Sequence, residues 1–486
     1  MDRNLPSTTS KETQTILKNK KATALIGLGK LEEARRLLDD TGKTLPTTNT
    51  ARLNGITKSN VGMLQLNQGR SDLAEQTLKE AIQLFSTANQ TESLDAAQAH
   101  ANLGMVYISD GKYKQAEEQL QRSLLLRQKQ LKDTDERIAA SYNDLGLAYA
   151  GVDTEEALDY YEKALDRYKA IHGSDHPKIA ISNINIGIVY RDMKLYGDAV
   201  NNFETALAIW EKTYSQPHPA KAIALFNLGQ TYIGMGDSKT AMQFYEKALS
   251  MYQSVYGNKH PDIANVLNSM GAVELADRRF TQALDFYQRA LQANVAEFNS
   301  ASIYTNPGID SYYNGFRLLQ TLVFKAEAFE ALYYGKTLKF SEFQHALEVL
   351  QLADKLIDKL RRTSNNEGDK LQLGALSSDA YAAGVRIAYA AGQNAFKKKP
   401  YYALCFYFGE KSKGAVLQAA INESNAKAFV GIPADLLEKE RTLKSSLALN
   451  TQKLAQGPSA TEEAALRQRI YELTGEYETF VKSLEN

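Results

Sequence analysis

Three stretches decide the fold: HPKIAISNINIGIVYRDMKLYGDAVNNFETA from His176 to Ala206, HPAKAIALFNLGQTYIGMGDSKTAMQFYEKA from His218 to Ala248, and HPDIANVLNSMGAVELADRRFTQALDFYQRA from His260 to Ala290. They are one pattern written at a fixed step of 42 residues. Gly187, Ala199, Phe203 and Ala206 recur as Gly229, Ala241, Tyr245 and Ala248, then as Gly271, Ala283, Tyr287 and Ala290, and each unit opens with His-Pro. Self-similarity at a period of roughly 20–50 residues marks a solenoid, in which no repeat buries its apolar face alone and stacking makes the core.

Working toward the N-terminus, the pattern continues as Gly146, Tyr149, Ala157, Tyr161 and Ala164, with one residue missing from the turn near Asp153. Before it come Gly104, Tyr107, Gly111, Tyr113, Ala116, Leu120 and Ser123, and then Gly62, Leu66, Gly69, Ala74, Leu78 and Ala81. A degenerate first copy, Ala22 to Ala34, suits a terminal repeat that has only one neighbour. Helical spacing on both sides of each turn predicts antiparallel helix pairs. Glycine on the first helix and alanines on the second let two backbones approach, and Tyr190 and Phe203 fill the gaps around them.

In its order of small and aromatic positions the array resembles the tetratricopeptide repeat (TPR). The extra length per unit and the Gly-x-x-His-Pro before the next helix resemble the kinesin light chain type over residues 50–297. HEAT-type arrays share the period but not that order. The expected fold is an all-α, right-handed superhelical solenoid of antiparallel helix pairs ending in a coiled-coil-like helical hairpin.

After Asn294 the register is lost. Phe324 to Ala331 and Phe343 to Leu360 suggest one further pair, and Leu371–Ala391 with Tyr401–Ser424 another, with Gly392 and Pro400 in its turn. Leu466, Ile470, Leu473, Tyr477, Phe480 and Leu484 form a heptad seam, matched upstream by Leu436, Leu443, Leu447 and Leu454. Glu410 to Leu417, Ile432 to Leu437 and this hairpin resemble the stretch before the caspase-like domain of bacterial TPR-CHAT proteins. That likeness implies a recognition and regulatory arm whose CHAT peptidase domain is absent, since the chain stops where that domain would start. The organisation expected is a disordered lead-in (1–10), a degenerate N-terminal TPR cap (11–49), a regular array (50–297), irregular TPR-like pairs (298–425) and the hairpin (426–486).

Charge balances, with 57 basic against 57 acidic residues, so no net field draws the chain to nucleic acid or to a membrane. The tight basic run Lys397-Lys398-Lys399 reads as a solvated turn. The single cysteine, Cys405, excludes an internal disulfide and a multi-cysteine metal site. No apolar stretch reaches membrane-spanning length and residues 1–20 lack a secretory signal, so a cytoplasmic protein is expected. The His-Pro histidines recur one repeat apart, too far to share a zinc ion; proline at the first helical turn with the histidine capping or packing beside it explains them. No catalytic constellation, cofactor loop or metal site is expected.

One polar row remains. Two residues before each repeat glycine stand Asn60, Asn102, Asp144, Asn185, Asn227 and Ser269. In tetratricopeptide arrays the first helices line a concave groove, and the resemblance places this row inside it, where amides grip the main chain of an extended peptide. Asn143, Asn268, Arg191 and Gln230, with Phe226 and apolar Met105, Leu147 and Ile188, complete the expected wall. No basic clamp for a terminal carboxylate is read, so an internal peptide or a protein surface is the expected partner. The function expected is therefore a non-catalytic scaffold, and the alternative is a stand-alone adaptor that homo-oligomerises through its hairpin.

Overall fold

The computed structural model describes residues 10–364, 367–413, 434–455 and 460–484, which are helix and turn without a strand. It divides into two compact units, one ending at Thr213 and the other beginning at Tyr214. In the first unit the helices pair in sequence: α1 (Lys11–Gly27) with α2 (Leu31–Lys43), α3 (Thr50–Asn67) with α4 (Ser71–Thr87), α5 (Leu94–Ser109) with α6 (Tyr113–Gln130), α7 (Glu136–Tyr149) with α8 (Thr154–His172), and α9 (Pro177–Asp192) with α10 (Tyr196–Thr213). Each pair also packs on the next, so the stacking that the repeat predicted is what buries the core.

The α1–α2, α3–α4 and α5–α6 turns each place a glycine in the left-handed region, and the α9–α10 turn places Lys194 there at φ 62°. Gly69 sits at φ 71° and Gly111 at φ 69°, left-handed conformations open to a residue without a Cβ. Gly69 then donates to Leu66 O and Arg70 to Gln65 O, which closes the helix end. The missing residue of the fourth repeat changes this turn. Helix α7 stops at Tyr149, nearer to its Gly146 than α5 and α9 stop beyond theirs, and Ala150–Asp153 turns without a left-handed residue.

The repeat glycines mark the closest helix approach. A Cβ built on Gly187 would lie 2.6 Å from Phe203 Cε1, and one on Gly146 would lie 2.6 Å from Tyr161. Phe203, Ala199 and Ala206 are fully buried around that contact. Pro177 opens α9 with His176 as its cap: imidazole Nδ1 accepts from Lys178 N at 3.3 Å, and the ring stacks on His172 at 4.0 Å. Tyrosines tie neighbouring repeats, with Tyr107 donating to Glu75, Tyr149 to Glu117 and Tyr190 to Glu162.

The second unit repeats the plan with α11 (Pro219–Gly234), α12 (Ser238–Tyr256), α13 (Pro261–Ala276) and α14 (Phe280–Asn294). His218 and His260 cap α11 and α13 as His176 caps α9, stacked on Tyr214 at 3.7 Å and Tyr256 at 3.8 Å. A long loop then leads to α15 (Gly315–Leu332). Two lysines hold that loop. Lys325, fully buried, donates to Gln288 Oε1 at 2.7 Å, Thr305 O at 2.8 Å and Asn306 Oδ1 at 2.9 Å. Lys259 donates to the carbonyls of Gln292, Val295 and Phe298 and to Asn299 Oδ1.

A π-helical turn, Tyr333–Thr337, joins α15 to α16 (Phe340–Thr363). Helix α17 (Glu367–Asn394) follows, paired with a helical stretch over 399–413 that we label α18. Gly392, expected in the turn of that pair, lies inside α17, where a Cβ would meet Tyr402 at 2.7 Å. Of the CHAT-like stretch, residues 414–433, which include its 414–417 and 432–433 segments, lie outside the described residues. The terminal hairpin is α19 (Ala434–Ala455) and α20 (Ala460–Leu484), and its seam closes on itself: Leu443, Leu447, Leu473, Tyr477 and Phe480 form one buried cluster with Ile470 against it. Helix α20 docks on the α14–α15 loop, where Glu463 accepts from Tyr313 Oη at 2.8 Å and Arg467 bonds Glu463 and Ser311 while lying over the Tyr313 ring.

Candidate functional site

On a helix, residues at i, i+4 and i+7 share a face. Counting from each repeat glycine, the positions six before, two before and one after fall on that face of every first helix. In the first unit they are Ile56, Asn60 and Met63 on α3; Gln98, Asn102 and Met105 on α5; Ala140, Asp144 and Leu147 on α7; and Ile181, Asn185 and Ile188 on α9. Met63, Met105, Leu147 and Ile188 form an apolar ladder, each rung partly exposed.

The amide row beside that ladder is engaged between repeats. Asn60 Nδ2 donates to Asn19 Oδ1 at 2.9 Å, while its own Oδ1 accepts from Thr23 at 3.1 Å. Asn102 Nδ2 donates to Ser59 Oγ at 3.0 Å and its Oδ1 accepts from Gln98 at 2.8 Å. Asn185 Nδ2 donates to Asn143 Oδ1 at 3.1 Å. In each case the residue two before one glycine reaches the first helix of the preceding repeat, so the row stitches α1, α3 and α5, and again α7 and α9. Arg127 extends the network from α6. Almost fully buried, its guanidinium donates to Gln98 Oε1 at 2.8 Å, Ser141 Oγ at 2.7 Å and Arg137 O at 3.2 Å, and burial lowers its pKa.

Asp144 is the one acid in the row. Burial pushes its carboxyl up from 3.8 to about 6, against the opposing pull of Arg127 and of a hydrogen bond from Asn143. Arg191 is half-exposed and bonded to neighbouring Asp192 at 3.2 Å.

In the second unit Asn227 is buried and bonds back to Ile223 O at 2.9 Å on its own helix. Asn268, also buried, donates to Thr321 Oγ1 of α15 at 2.9 Å and keeps a buried Oδ1 with no hydrogen-bond partner. Gln230 and Ser269 are half-exposed. Gln98, Arg127, Ser59 and Asn19 were missed by sequence reasoning. Gln98 could have been found from its i,i+4 spacing to Asn102; the others depend on which faces meet when repeats stack. Among the described residues no group of three or more His, Cys, Asp or Glu side chains could hold a metal ion, and no helix is long and apolar enough to cross a membrane.

A tetratricopeptide repeat model matches residues 53–129, 95–170, 137–212, 178–254 and 243–294, and a second tetratricopeptide repeat model matches 21–40. Together they cover more than half of the 486 residues. No curated protein matches the chain. Among solved structures, a candidate kinesin light chain of Podosopora anserina with nearly identical TPR-like repeats is 20% identical, with TM-score 0.38 over 42% of this chain and 97% of its own. BtubC (BKLC) from P. vanneervenii is 21% identical, with TM-score 0.39 over 49% of this chain and 92% of its own. A Rap protein complexed with competence and sporulation factor is 13% identical, with TM-score 0.48 over 84% of this chain and 99% of its own.

Proposed function

We propose, from the premise that the chain belongs to the tetratricopeptide repeat family, that it is a scaffold that binds an extended peptide or a protein surface along the first helices of its repeats. The observation that carries this reading is the partly exposed ladder Met63, Met105, Leu147 and Ile188, which a folded scaffold without a partner leaves facing water. Each rung is already more than half buried, so covering the rest of the four supplies up to about 1 kcal/mol each before the costs of ordering a ligand are met. Of the polar residues expected beside these anchors, Asn143, Asn185 and Arg191 in the first unit and Gln230 in the second keep partial exposure and face the ligand. Asn60, with both amide atoms engaged, and buried Asn102, Asn227 and Asn268 instead hold the helices in place, and Asp144 adds an acid to the row.

Panning a displayed random-peptide library on the full chain tests the proposal. Peptides should be enriched, and Met105→Gln with Leu147→Gln should weaken them at least tenfold, about 1.4 kcal/mol, with unchanged helix content. Failure to enrich any peptide, or enrichment indifferent to these substitutions and to Asn185→Ala with Asn227→Ala, refutes the assignment.

The finer reading is that this array is the recognition arm of a TPR-CHAT protease. It rests on the likeness over 410–486, and sequencing the gene past the codon for Asn486 tests it. A frame continuing into a domain with a histidine and a cysteine in caspase-like settings supports it, and an immediate stop removes it. The alternative adaptor reading used the hairpin seam for oligomerisation, but Leu473 and Phe480 are already buried within the hairpin. A light-scattering mass of one chain rejects that alternative.

A further inference from the structure

Two turns that the sequence keeps far apart lie side by side on one edge of the second unit. The first is the π-helical turn and its exit, Tyr333 to Lys339; the second joins α17 to α18 and carries Phe396, Lys397, Lys398 and Lys399. Phe340, at the start of α16, packs edge-on against Tyr401 of α18 with ring centroids 5.3 Å apart, which brings the two turns together. On the other side the π-helical turn rests on Phe280 at the start of α14, where a Cβ on Gly335 would come within 2.2 Å of the ring.

The combined edge is basic and apolar at once. Lys336, Lys339, Lys397, Lys398 and Lys399 are all exposed, and neither turn contains an acidic residue. Between them Phe396 is fully exposed, Leu338 is 71% exposed and Tyr334 58%. Leu338 is also held at φ 52°, a left-handed conformation that glycine or asparagine adopts far more cheaply than leucine. The fold therefore keeps an aliphatic side chain pointing outward at a conformational cost. These apolar groups are exposed within the same two short turns as the five lysines.

We propose that this edge docks on an anionic lipid surface, with Phe396, Leu338 and Tyr334 entering the headgroup boundary and the five lysines contacting acidic headgroups. Charge complementarity selects an anionic partner, and the exposed aliphatic and aromatic side chains select a lipid one. A nucleic acid would use the lysines and could stack on Phe396, but it offers nothing to Leu338. The balanced charge of the whole chain does not oppose docking, because attraction to a surface is felt within about a Debye length, roughly 8–10 Å, and so by the local cluster.

The test uses the full chain in co-sedimentation with phosphatidylcholine vesicles, with and without phosphatidylserine. Binding is expected to the phosphatidylserine vesicles only and to weaken as salt rises. The triple substitution Lys397→Ser, Lys398→Ser and Lys399→Ser should weaken it about a hundredfold, from roughly fivefold per lysine near an anionic surface. Phe396→Ser should weaken it by about tenfold or more through lost apolar insertion. Lys114→Ser, in the other unit, should leave binding unchanged. Circular dichroism confirms that the turn variants fold. Absence of binding at low salt, binding that survives the triple substitution, or retention on RNA or heparin without retention on vesicles would each overturn the proposal.

Discussion

Replacing Gly187 by alanine should destabilise the first unit, whereas the same replacement at Gly197, ten residues on in the same repeat, should stabilise it. Alanine gains about 1 kcal/mol over glycine in a helix interior, and less in a first turn, where Gly197 sits in α10. At Gly197 nothing lies within 4 Å of an added Cβ, so that gain is unopposed. At Gly187 the Cβ would stand 2.6 Å from Phe203 Cε1 and 2.9 Å from Cδ1 and Cζ. Carbon atoms prefer roughly 3.5–4.0 Å, so the ring must retreat by about 1 Å. It has nowhere to go, being fully buried between Ala199 and Ala206. Overpacking of this kind costs about 1–3 kcal/mol, and a ring without slack belongs at the upper end; net of the helix gain, the loss is about 2 kcal/mol. The chain's single tryptophan, Trp210, is buried in α10 of the same repeat, so its fluorescence during urea unfolding reports on this unit. In a Phe203→Ala background the clash is gone, and Gly187→Ala should turn neutral or stabilising. If Gly187→Ala stabilises as Gly197→Ala does, or costs the same with and without the Phe203 ring, close packing is not why glycine recurs here.

Two pH effects follow from buried ionisable groups. The Asp144 carboxyl has a folded pKa raised to about 6 from 3.8, so the folded state holds its proton where the unfolded chain releases it. Stability therefore falls as pH rises from about 4 to about 6 and stays reduced above, by at most about 3 kcal/mol; Asp144→Asn should be the more stable protein at pH 7, with the gap closing in acid, as read from Trp210 fluorescence. Lys325 carries the opposite sign, its pKa lowered by burial from 10.5 to about 7. The second unit should gain stability relative to Lys325→Met as pH rises above 7, by up to about 1.4 kcal/mol per unit; denaturation curves by circular dichroism that run parallel at pH 7 and about pH 9 would contradict this.

The sequence made the pairs legible because their determinants lie within one repeat. Gly187, Ala199 and Phe203 meet across a single turn, and their spacing alone states that two helices approach closely there. The His-Pro series was legible for the same reason, since a cap needs only the residues that follow it. What Asn102 touches was not legible. Its partner Ser59 belongs to the preceding repeat, and the bond exists only once stacking sets which faces meet. The basic run at Lys397 looked isolated, because Lys336 and Lys339 join it through the Phe340–Tyr401 contact, which no local pattern encodes. Hairpin apolar positions were visible as a seam, but a heptad does not say whether its partner lies within the chain, and here Leu473 meets Leu443 and Leu447.

The amide row and the apolar ladder are not independent features of the first unit. The bond from Asn102 to Ser59 ties α5 to α3, and Met63 and Met105 lie one turn along those same helices. The hydrogen bond that joins two repeats therefore also sets the distance between two apolar rungs, near the 8–10 Å at which packed helices stand. A chain in the polyproline II conformation advances about 3.1 Å per residue and returns to the same face every third residue, so rungs at that spacing match side chains three residues apart. A substitution that leaves every rung in place but cuts a tie, such as Asn102→Ala, thus acts on a ligand through the spacing of the anchors. Peptides that carry an apolar residue at every third position should lose most from it, and peptides without that period should lose little.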